Sequence, residues 1–520
     1  MEPLKLSDLS IEQKIGQMMV CRGFRPNILN NKPYILDMIR NRALGAIQLD
    51  RPGLEIREAL EVADYPILVC ANMEYGYGRG KIQLPCPMAV GALDSEQMAY
   101  EFGRLTAVEA RAAGYNLVFG PIVDIAMNPL SSCVGPRAFG GDKKLVARMA
   151  TASIRGYQDQ GMIVTAKHYP GFGESPVDSH IGMVTLSCDR DLLIERELYP
   201  YLEAMRKADL SGVMVGHIMV PKIDPTYPAT ISRKLIGILR EAGFDGLVMT
   251  DSFAMVGMTN RFGLEECHGL AMAAGNDMVM PSYRLTTRTA YEWMLKACRE
   301  GVVSEEQVDA AVTRVLAAQA KTLRKPTHRK LTQKDEKLAR TMSRECITAV
   351  LAGVPSPAIP TNKKHLFILQ VPNRFVDPET GKKQKESGSV EVVEAAIRKL
   401  FPKSDLHHVN DFPSFVQVEA ALDKSMQYET VVPVVYSRTS SYVGSSDLTR
   451  RMLAMIEGFA HKVPAVVVFG NAYAARELPP VPRVILGYEG GYCEESAIQV
   501  LAGKRPAHGK LPIPVRFRGE

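Results

Sequence analysis

The segment Asp245-Gly246-Leu247-Val248-Met249-Thr250-Asp251 is a short apolar run that ends in a carboxylate, and similar runs recur through the first half of the chain. Stretches with the apolar spacing of amphipathic helices separate these runs. Seven such runs over about 240 residues predict parallel strands covered on both faces, in a (β/α)8-type TIM barrel rather than an open sheet. The other six are GAIQL (45–49), PILVCANM (66–73), YNLVFGPIVDIA (115–126), IVTAKHY (163–169), SGVMVGHIMV (211–220) and NDMVMP (276–281).

A charged, proline-containing segment, KTLRKPTHRKLTQKDEKLAR (321–340), interrupts this alternation. It predicts a barrel domain over 1–325, a charged linker with a lead-in helix over 326–345, and a smaller C-terminal α/β sandwich domain over 346–520. The polar segment 377–389 is expected to be the most mobile. The last domain is predicted from a helix in ARTMSRECITAVLAG (339–353) and from strands in HLFILQV (365–371), TVVPVVYS (430–437), AVVVFG (465–470) and RVILGYEGG (483–491).

The composition is that of an ordinary globular protein. The net charge is +6, but 63 basic residues are interspersed with 57 acidic ones, which argues against a nucleic-acid partner. The sequence has neither an apolar stretch of membrane-spanning length nor signal-peptide features, so we expect a cytoplasmic protein without a membrane partner. The nine cysteines lack metal-ligand spacing and predict reduced, mostly buried thiols, no metal site and no cofactor.

Polar residues follow the predicted strands. In a barrel the carboxyl ends of the strands converge on one face, where the active sites of this fold lie. Asp251 is placed there to attack an electrophilic centre, although an aspartate at this position is equally suited to cap a following helix. His217 lies in an apolar run and is interpreted as a core histidine. The set comprises Asn72, Asp124, Lys167, His168, His217 and Asp251.

The segment KHYPGFGESPVDSH (167–180) carries several chemically active side chains. It begins at a predicted strand end and continues through a glycine- and proline-rich loop that can hold polar groups over a pocket. Asp178 and His180 are close enough for the carboxylate to orient the ring and to stabilise imidazolium. Such a ring is suited to donating a proton and taking one back. On spacing alone, an ordinary surface Asp–His pair is the simpler interpretation.

Taken together, these motifs resemble glycoside hydrolase family 3, in particular its bacterial two-domain β-N-acetylglucosaminidases. The segment 167–180 is similar to the family loop KHFPGHGxxxxDSH, and LVMTDSFAM (247–255) is similar to the strand of the family nucleophile. The resemblance implies a retaining glycosidase with Asp251 as nucleophile and His180, supported by Asp178, as general acid/base. It continues over most of residues 5–320 in IEQKIGQMM, PILVCANMEYG, NLVFGPIVDIAMNP, GPRAFG and GHIMVPKIDPTYPATIS, and more weakly in FGNAYAARELP and GKLPIPV.

The same resemblance implies a set of sugar-binding side chains. Lys167, His168 and Arg137 match positions that hold sugar hydroxyls. Two positions depart from the family pattern: Phe172 replaces a histidine between the loop glycines, and Asn72 replaces an acidic residue. Asn72 can still bond a hydroxyl but offers no charged acceptor, so its contact is expected to be weaker. Both departures concern the substrate more than the reaction.

Three functions are compatible with the sequence. The resemblance implies removal of terminal β-linked N-acetylglucosamine, or a related β-hexosyl residue, from a small glycoside or oligosaccharide through a covalent intermediate. A phosphorylase with phosphate as acceptor is a near alternative, because a neutral histidine lets phosphate approach without like-charge repulsion. A non-catalytic sugar-binding protein is the alternative of another class, and retention of Asp251, Asp178 and His180 argues against it.

Two further motifs carry less information. The glycine-rich GYGRGK (76–81) follows a predicted strand but lacks dinucleotide-binding or P-loop spacing, so it is interpreted as a turn, from which Arg79 could reach a sugar. The adjacent His407 and His408 are poorly placed to share a metal ion and are interpreted as part of a surface loop.

Overall fold

The computed structural model describes residues 2–23, 32–49, 53–327, 330–351, 358–371, 389–437, 448–515 and 518. The chain forms two compact units, and two short segments from its first 325 residues are grouped with the second unit. The domain limits 1–325, 326–345 and 346–520 stay a prediction. The first unit comprises Met1–Lys81, Ser95–Asn128 and Lys143–Asp335, and the second comprises Ile82–Asp94, Pro129–Asp142 and Glu336–Glu520.

The strands of the first unit are β1 (Val20–Arg22), β2 (Ala46–Gln48), β3 (Leu68–Asn72), β4 (Leu117–Phe119), β5 (Ile163–Val164), β6 (Ala166–Tyr169), β7 (Val184–Thr185), β8 (Gly212–Val215), β9 (Ile218–Met219) and β10 (Leu247–Thr250). β1 to β5 form a parallel sheet in chain order, and β6, β8 and β10 form another. Only Thr165 separates β5 from β6. Single parallel bridges from Met249 to Met278 and from Met19 to Val279 close the ring. This ring is the predicted TIM barrel, and β7 pairs separately with β9.

Alternate residues of the ring strands form the apolar core of this unit, because successive side chains of a strand point to opposite faces. A barrel filled in this way is a packed core and not a pore, so polar chemistry is confined to the strand ends. Core residues that are at most 3% exposed include Val20, Ala46, Leu68, Cys70, Leu117, Phe119, Ile163, Met214, Leu247, Met249, Met278 and Met280.

The seven predicted apolar runs all contribute to the ring, but the prediction missed β1. The apolar residues Met18 to Val20 continue the helical spacing of the opening helix, which ends at Gln17. Periodicity alone therefore does not reveal where this helix gives way to a strand. The predicted runs are also longer than their strands, most clearly where 115–126 contains only β4 and where 211–220 is divided between β8 and β9.

Helices occupy the connections between the ring strands. Several begin at a serine whose hydroxyl accepts a backbone N–H of the first turn, as Ser10 does from Gln13 and Ser232 from Leu235, so local sequence sets their starts. The helices are Ile11–Gln17, Lys32–Arg40, Leu54–Val62, Glu96–Ala112, Lys143–Gln158, Arg190–Leu192, Tyr199–Ala208, Arg233–Glu241, Val256–Thr259, Leu264–Ala274, Thr287–Arg299 and Glu305–Lys321, with a π-helical turn at Leu193–Glu197 and 3₁₀ turns at Leu6–Asp8 and Ala229–Ile231.

The second unit contains the predicted α/β sandwich. Its sheet has the order β11-β16-β15-β14-β12-β13, with β11 antiparallel to β16 and the other neighbours parallel. The strands are β11 (Thr348–Leu351), β12 (Leu366–Val371), β13 (Asp405–Asn410), β14 (Val431–Ser437), β15 (Val466–Gly470) and β16 (Arg483–Tyr488). The helices are Pro87–Leu93, Ser389–Leu400, Phe415–Ser425, Arg450–Gly458 and Cys493–Leu501, with 3₁₀ turns at Gly135–Arg137, Ala460–Lys462 and Ala472–Glu477.

Several predictions for the C-terminal half need correction. The helix predicted over 339–353 is wrong beyond Glu345, because the helix Gln333–Glu345 ends there and Thr348–Leu351 pairs with β16. The surface-loop interpretation of His407 and His408 is also wrong, because both lie on β13. This strand has a mixed burial pattern because it is the last in the sheet order. Apart from its final residue, the segment 377–389 lies outside the described residues.

All nine cysteines are free thiols, and only Cys298 is not buried, which confirms the prediction of reduced, mostly buried thiols. Within the part of the chain that the structure describes, no helix combines the length and apolar character needed to span a bilayer.

Candidate active site

Asp251 lies at the carboxyl end of the barrel, directly after the buried strand β10. Its backbone N–H donates to the carbonyl of Val215, the last residue of β8, at 2.9 Å, so the strand pairing fixes its position. Its Oδ1 accepts the N–H of Ser252 at 2.7 Å. The next helix begins at Val256 with Met255 as its N-cap, so the helix-cap interpretation of Asp251 is wrong.

The surroundings of Asp251 favour its ionised form. The residue is 8% exposed, and this burial opposes a charge. The nearby imidazoles of His168 and His217 and the N–H of Ser252 outweigh the burial, so the pKa of Asp251 lies below its usual value. The Nε2 atom of His168 is 3.9 Å from Oδ2 of Asp251. The carboxylate is therefore anionic at neutral pH, as a nucleophile must be.

His168 is held beside Asp251 by a second aspartate. Its Nδ1 lies 2.8 Å from Oδ2 of Asp124, and its backbone N–H donates to the same carboxylate at 3.2 Å. Oδ1 of Asp124 also accepts the N–H of Phe172 at 2.9 Å. The Phe172 ring meets the His168 ring edge-on, with 5.0 Å between centroids. Asp124, whose side chain is fully buried, therefore fixes both the ring of His168 and the start of the loop that follows.

Lys167 is fixed by two acceptors, one at the end of β3 and one in the segment that follows it. Its Nζ lies 2.8 Å from Oδ1 of Asn72 and 2.5 Å from Oε1 of Glu74. The Lys167 and Glu74 side chains are almost fully buried, which strengthens their attraction relative to a surface pair. Asn72 supplies no charge here, but a carboxylate two residues further along the chain does.

A cavity of about 300 Å³ adjoins Asn72 and Glu74, near the lower size limit of ligand pockets. One wall is the GYGR part (76–79) of the GYGRGK segment, whose bends confirm the predicted turn. Tyr77, Arg79 and Tyr115 also line the cavity, so it offers aromatic faces and a guanidinium. Such lining is suited to a sugar, whose C–H groups pack on aromatic rings while its hydroxyls bond polar groups.

The expected hydrogen bond between Asp178 and His180 is present. Oδ1 of Asp178 lies 2.8 Å from Nδ1 of His180 and accepts the backbone N–H of the same residue at 2.8 Å. The aspartate side chain is fully buried, whereas the imidazole side chain is 21% exposed. A buried carboxylate is not part of an ordinary surface pair, so the simpler interpretation is wrong. The ring is oriented by the protein and accessible to a ligand.

The loop that carries His180 packs against the segment that follows Asp251. The N–H of Gly257 donates to the carbonyl of Ser179 at 3.3 Å, and the Ser179 hydroxyl contacts Sδ of Met255 at 3.4 Å. A side chain at Gly257 would collide with the carbonyls of Ser179 and Gly182. Asp178 and His180 are therefore tied to the loop that begins at Asp251.

Two other predicted residues have different surroundings. His217 is buried, with Nδ1 2.7 Å from Oγ1 of Thr230 and Nε2 2.9 Å from the carbonyl of Ser252, which confirms the interpretation as a satisfied core histidine. Arg137 belongs to the second unit, where its guanidinium donates to the carbonyl of Cys133 at 2.5 Å.

Sequence reasoning missed two partnerships at this site. Asp124 was one of several strand-end residues, but its bond to His168 spans 44 positions and leaves no local signal. Glu74 was not singled out, although an acidic residue two positions beyond a predicted strand end could have indicated a partner for Lys167.

Comparisons with known proteins agree with this arrangement. The sequence profile described as "Glycosyl hydrolase family 3 N terminal domain" matches residues 10–318. A β-N-acetylglucosaminidase/β-glucosidase from Cellulomonas fimi is 26% identical over 98% of this chain and 94% of its own length.

Two solved structures are also similar. A glycoside hydrolase family 3 β-N-acetylglucosaminidase from Paenibacillus sp. str. FPU-7 superposes with a TM-score of 0.83 at 27% identity, covering 98% of this chain and all of the other. A β-glucoside phosphorylase, BglX bound to 2FGlc, superposes with a TM-score of 0.81 at 25% identity, covering 98% and 95%.

The profile match includes more than half of the 520 residues and contains Asp124, Lys167, His168, Asp178, His180 and Asp251. The chain therefore belongs to glycosyl hydrolase family 3, a family of glycosidases.

Proposed function

We propose that this glycosidase removes terminal β-linked N-acetylglucosamine from a small glycoside or oligosaccharide with retention of configuration. The observation that carries the proposal is the anionic carboxylate of Asp251 at a barrel strand end, next to a loop that presents an oriented imidazole. The names of the similar proteins from Cellulomonas fimi and Paenibacillus support the choice of sugar.

In the first step, a carboxylate oxygen of Asp251 attacks the anomeric carbon. His180 donates a proton to the glycosidic oxygen as its bond to that carbon breaks, and the aglycone leaves as an alcohol. Asp178 stabilises the ring before transfer and holds its orientation afterwards. The products of this step are a glycosyl ester on Asp251 and a neutral imidazole.

In the second step, the neutral His180 accepts a proton from water while the water oxygen attacks the anomeric carbon. The ester bond breaks, the sugar leaves with its original configuration after two inversions, and the carboxylate of Asp251 is regenerated. Lys167, His168 and Asn72 are proposed to hold sugar hydroxyls. No metal ion or organic cofactor enters either step.

Phosphorolysis is the second candidate, supported by the similarity to a β-glucoside phosphorylase. The proposed acid/base is an imidazole, which is neutral once it has given up its proton, so phosphate could replace water without repulsion from that group. The two acceptors give different products: water gives the free sugar, and phosphate gives the sugar 1-phosphate. Product analysis with and without phosphate distinguishes them.

The proposal is tested by turnover and by covalent trapping. We expect an aryl β-N-acetylglucosaminide to be cleaved faster than the matching β-glucoside, and a slow 5-fluoro glycosyl donor to label Asp251, as located by mass spectrometry. Asp251→Ala should abolish labelling and lower kcat by several orders of magnitude. A label on another carboxylate would contradict the assignment of the nucleophile, and preference for the glucoside would contradict the assignment of the sugar.

A further inference from the structure

Glu197 is a buried carboxylate that the proposed reaction does not use. It ends the π-helical turn Leu193–Glu197, a type of irregularity found frequently at functional sites. Its residue exposure is 1%, and its Oε2 atom has no hydrogen-bond partner among the described residues. A buried carboxylate with an unpartnered oxygen weakens a fold, so stability does not explain its presence.

This carboxylate lies directly against the glycines at the start of the catalytic loop. A Cβ atom on Gly171 would be 2.6 Å from Oε2 of Glu197, and one on Gly173 would be 2.5 Å from Oε1. Both glycines have positive φ, at +136° and +45°. With Glu197 in its present position, a Cβ atom at either glycine would overlap the carboxylate, so the loop backbone and this carboxylate are in direct contact.

Arg196 connects the same carboxylate to the next residue of the loop. Its Nε lies 2.7 Å from Oε1 of Glu197, and its Nη2 lies 3.2 Å from Oε2 of Glu174. The Glu174 carboxylate also accepts the N–H of Ser187 at 3.1 Å, and its backbone carbonyl accepts the amide of Asn128 at 2.5 Å. Residues 171–174 are therefore held by contacts with the charged side chains of Glu197 and Arg196.

The electrostatic surroundings of Glu197 are mixed. Burial raises the pKa of Glu197 to about 7, and Arg196 opposes this rise, whereas Asp124 and Glu174 add to it. Burial raises the pKa of the Tyr201 hydroxyl and of the Cys188 thiol, and the charge of Glu197 adds to both rises. Asp124, which fixes His168 and accepts the N–H of Phe172, therefore also acts electrostatically on Glu197.

We propose that Glu197 and Arg196 are a positioning pair that sets the conformation of the loop and thereby places Asp178 and His180 over the sugar. The inference rests on the proposed function, because its consequence is measured on proton transfer. Only three residues separate Glu174 from Asp178, and the intervening chain is fixed by hydrogen bonds from Ser175 N–H to the Phe172 carbonyl and from Val177 N–H to the Ser175 hydroxyl. A displaced Glu174 therefore displaces the acid/base.

The test is a series of aryl glycosides whose leaving groups differ in pKa. Removing the carboxylate with Glu197→Ala should lower kcat/KM at least about 10-fold more for poor leaving groups than for activated ones, because only the former need a well-placed proton donor. Glu197→Gln keeps the shape and should recover part of that loss. Asp277→Asn is the control, because Asp277 is another buried carboxylate with arginine partners, Arg240 and Arg314, at the start of a barrel segment.

A double-mutant cycle tests the contact itself. Gly173→Ala alone should reproduce the leaving-group effect, because the added methyl group meets the carboxylate. In the Glu197→Ala background the methyl group has room, so Gly173→Ala should cause a smaller further loss of kcat/KM for poor leaving groups. The backbone strain at φ +45° is the same in both backgrounds, so it cancels in this comparison. Additive effects would overturn the proposed contact.

The outcomes separate this inference from the proposed function. Asp277→Asn should lower kcat/KM by the same factor for all substrates. If Glu197→Ala does the same while His180→Ala shows the leaving-group effect, the positioning pair is rejected and the proposed function stands. If His180→Ala itself shows no leaving-group effect, the acid/base assignment is rejected first. A selective loss in both variants, with recovery in Glu197→Gln, supports the inference.

Discussion

Two Asp–His pairs with nearly the same geometry occur in this barrel. In each, a carboxylate oxygen lies 2.8 Å from Nδ1 of the histidine and the same carboxylate accepts the backbone N–H of that histidine. Asp124 and His168 are 44 residues apart and both buried, whereas Asp178 and His180 are two residues apart and the imidazole is partly exposed. One hydrogen-bond pattern therefore occurs in a closed and in an open setting.

The settings indicate different tasks. His168 is enclosed by Asp124 and Phe172 and its Nε2 lies 3.9 Å from Oδ2 of Asp251, so it suits the proposed roles of lowering the pKa of the nucleophile and binding a sugar hydroxyl. His180 is accessible and lies on a loop, so it can exchange a proton with a leaving group and with water. The hydrogen bond orients each ring, and its surroundings decide what the ring can do.

The largest expected difference between the pairs is in leaving-group dependence. His180→Ala should lower kcat/KM for poor leaving groups by about 10²–10⁴-fold and affect activated aryl glycosides far less, because only poor leaving groups require a proton. His168→Ala should lower kcat/KM by a similar factor for poor and for activated leaving groups, because it removes binding and electrostatic contacts. The measurement is kcat/KM over leaving groups of graded pKa, and similar slopes for the two variants would contradict the division of tasks.

The second difference concerns stability. Asp124→Ala removes the acceptor for the His168 ring and for two buried backbone N–H groups, each of which costs about 1–3 kcal/mol when left unsatisfied. Asp178→Ala should lower the free energy of unfolding by about 1 kcal/mol, because water can reach His180 and replace the lost hydrogen bond. We expect Asp124→Ala to lower Tm by at least about 5 °C and Asp178→Ala by less than half as much.

Thermal melts of both variants and the wild type at one pH and scan rate provide this measurement. A larger loss for Asp178→Ala would show that the local pair, and not the enclosed one, is the structural member.

The contrast also explains what sequence could predict. Asp178 and His180 are neighbours in the chain, so their contact was visible from spacing, whereas the bond between Asp124 and His168 depends on the pairing of distant strands. Asp251 was found because it ends an apolar run, but the same local sequence suits a helix cap, and only the later helix start at Val256 removes that alternative.

The fold shows the same limits. Apolar runs revealed most barrel strands and the main strands of the second unit, because burial on both faces leaves a continuous apolar signal. β1 was hidden in the spacing of the opening helix, and the edge strand β13 has mixed polarity. Glu197 lies in a helical stretch where acidic residues are common, so nothing in the sequence marks it as buried.

The pairs should also differ in their effect on the acidic limb of the pH–activity profile. Burial opposes ionisation of Asp251, but His168 and His217 lower its pKa, so activity is expected to persist at pH values where an ordinary aspartate would be protonated. His168→Ala removes one lowering contribution and should move the acidic limb of kcat/KM to higher pH. His180→Ala should leave this limb in place for an activated substrate. If the acidic limb moved in both His168→Ala and His180→Ala, the two pairs would not differ in their effect on Asp251.

The smallest expected effect is at Phe172, whose ring contacts His168 of the buried pair. Its backbone N–H bonds Asp124 whatever the side chain, whereas its ring makes the edge contact with His168. Phe172→Leu keeps the site apolar but removes a contact worth about 0.5–1.5 kcal/mol, so we expect KM to rise about 2–10-fold with little change in kcat. The leaving-group slope should stay that of the wild type, because His180 is untouched. The measurement is saturation kinetics of Phe172→Leu on one substrate with an activated leaving group and one with a poor leaving group. Asp124→Ala is measured on the same two substrates for comparison. A selective loss for the poor substrate would mean that the enclosure of His168 and the proton transfer at His180 are coupled, and the two pairs would then have to be treated as one unit.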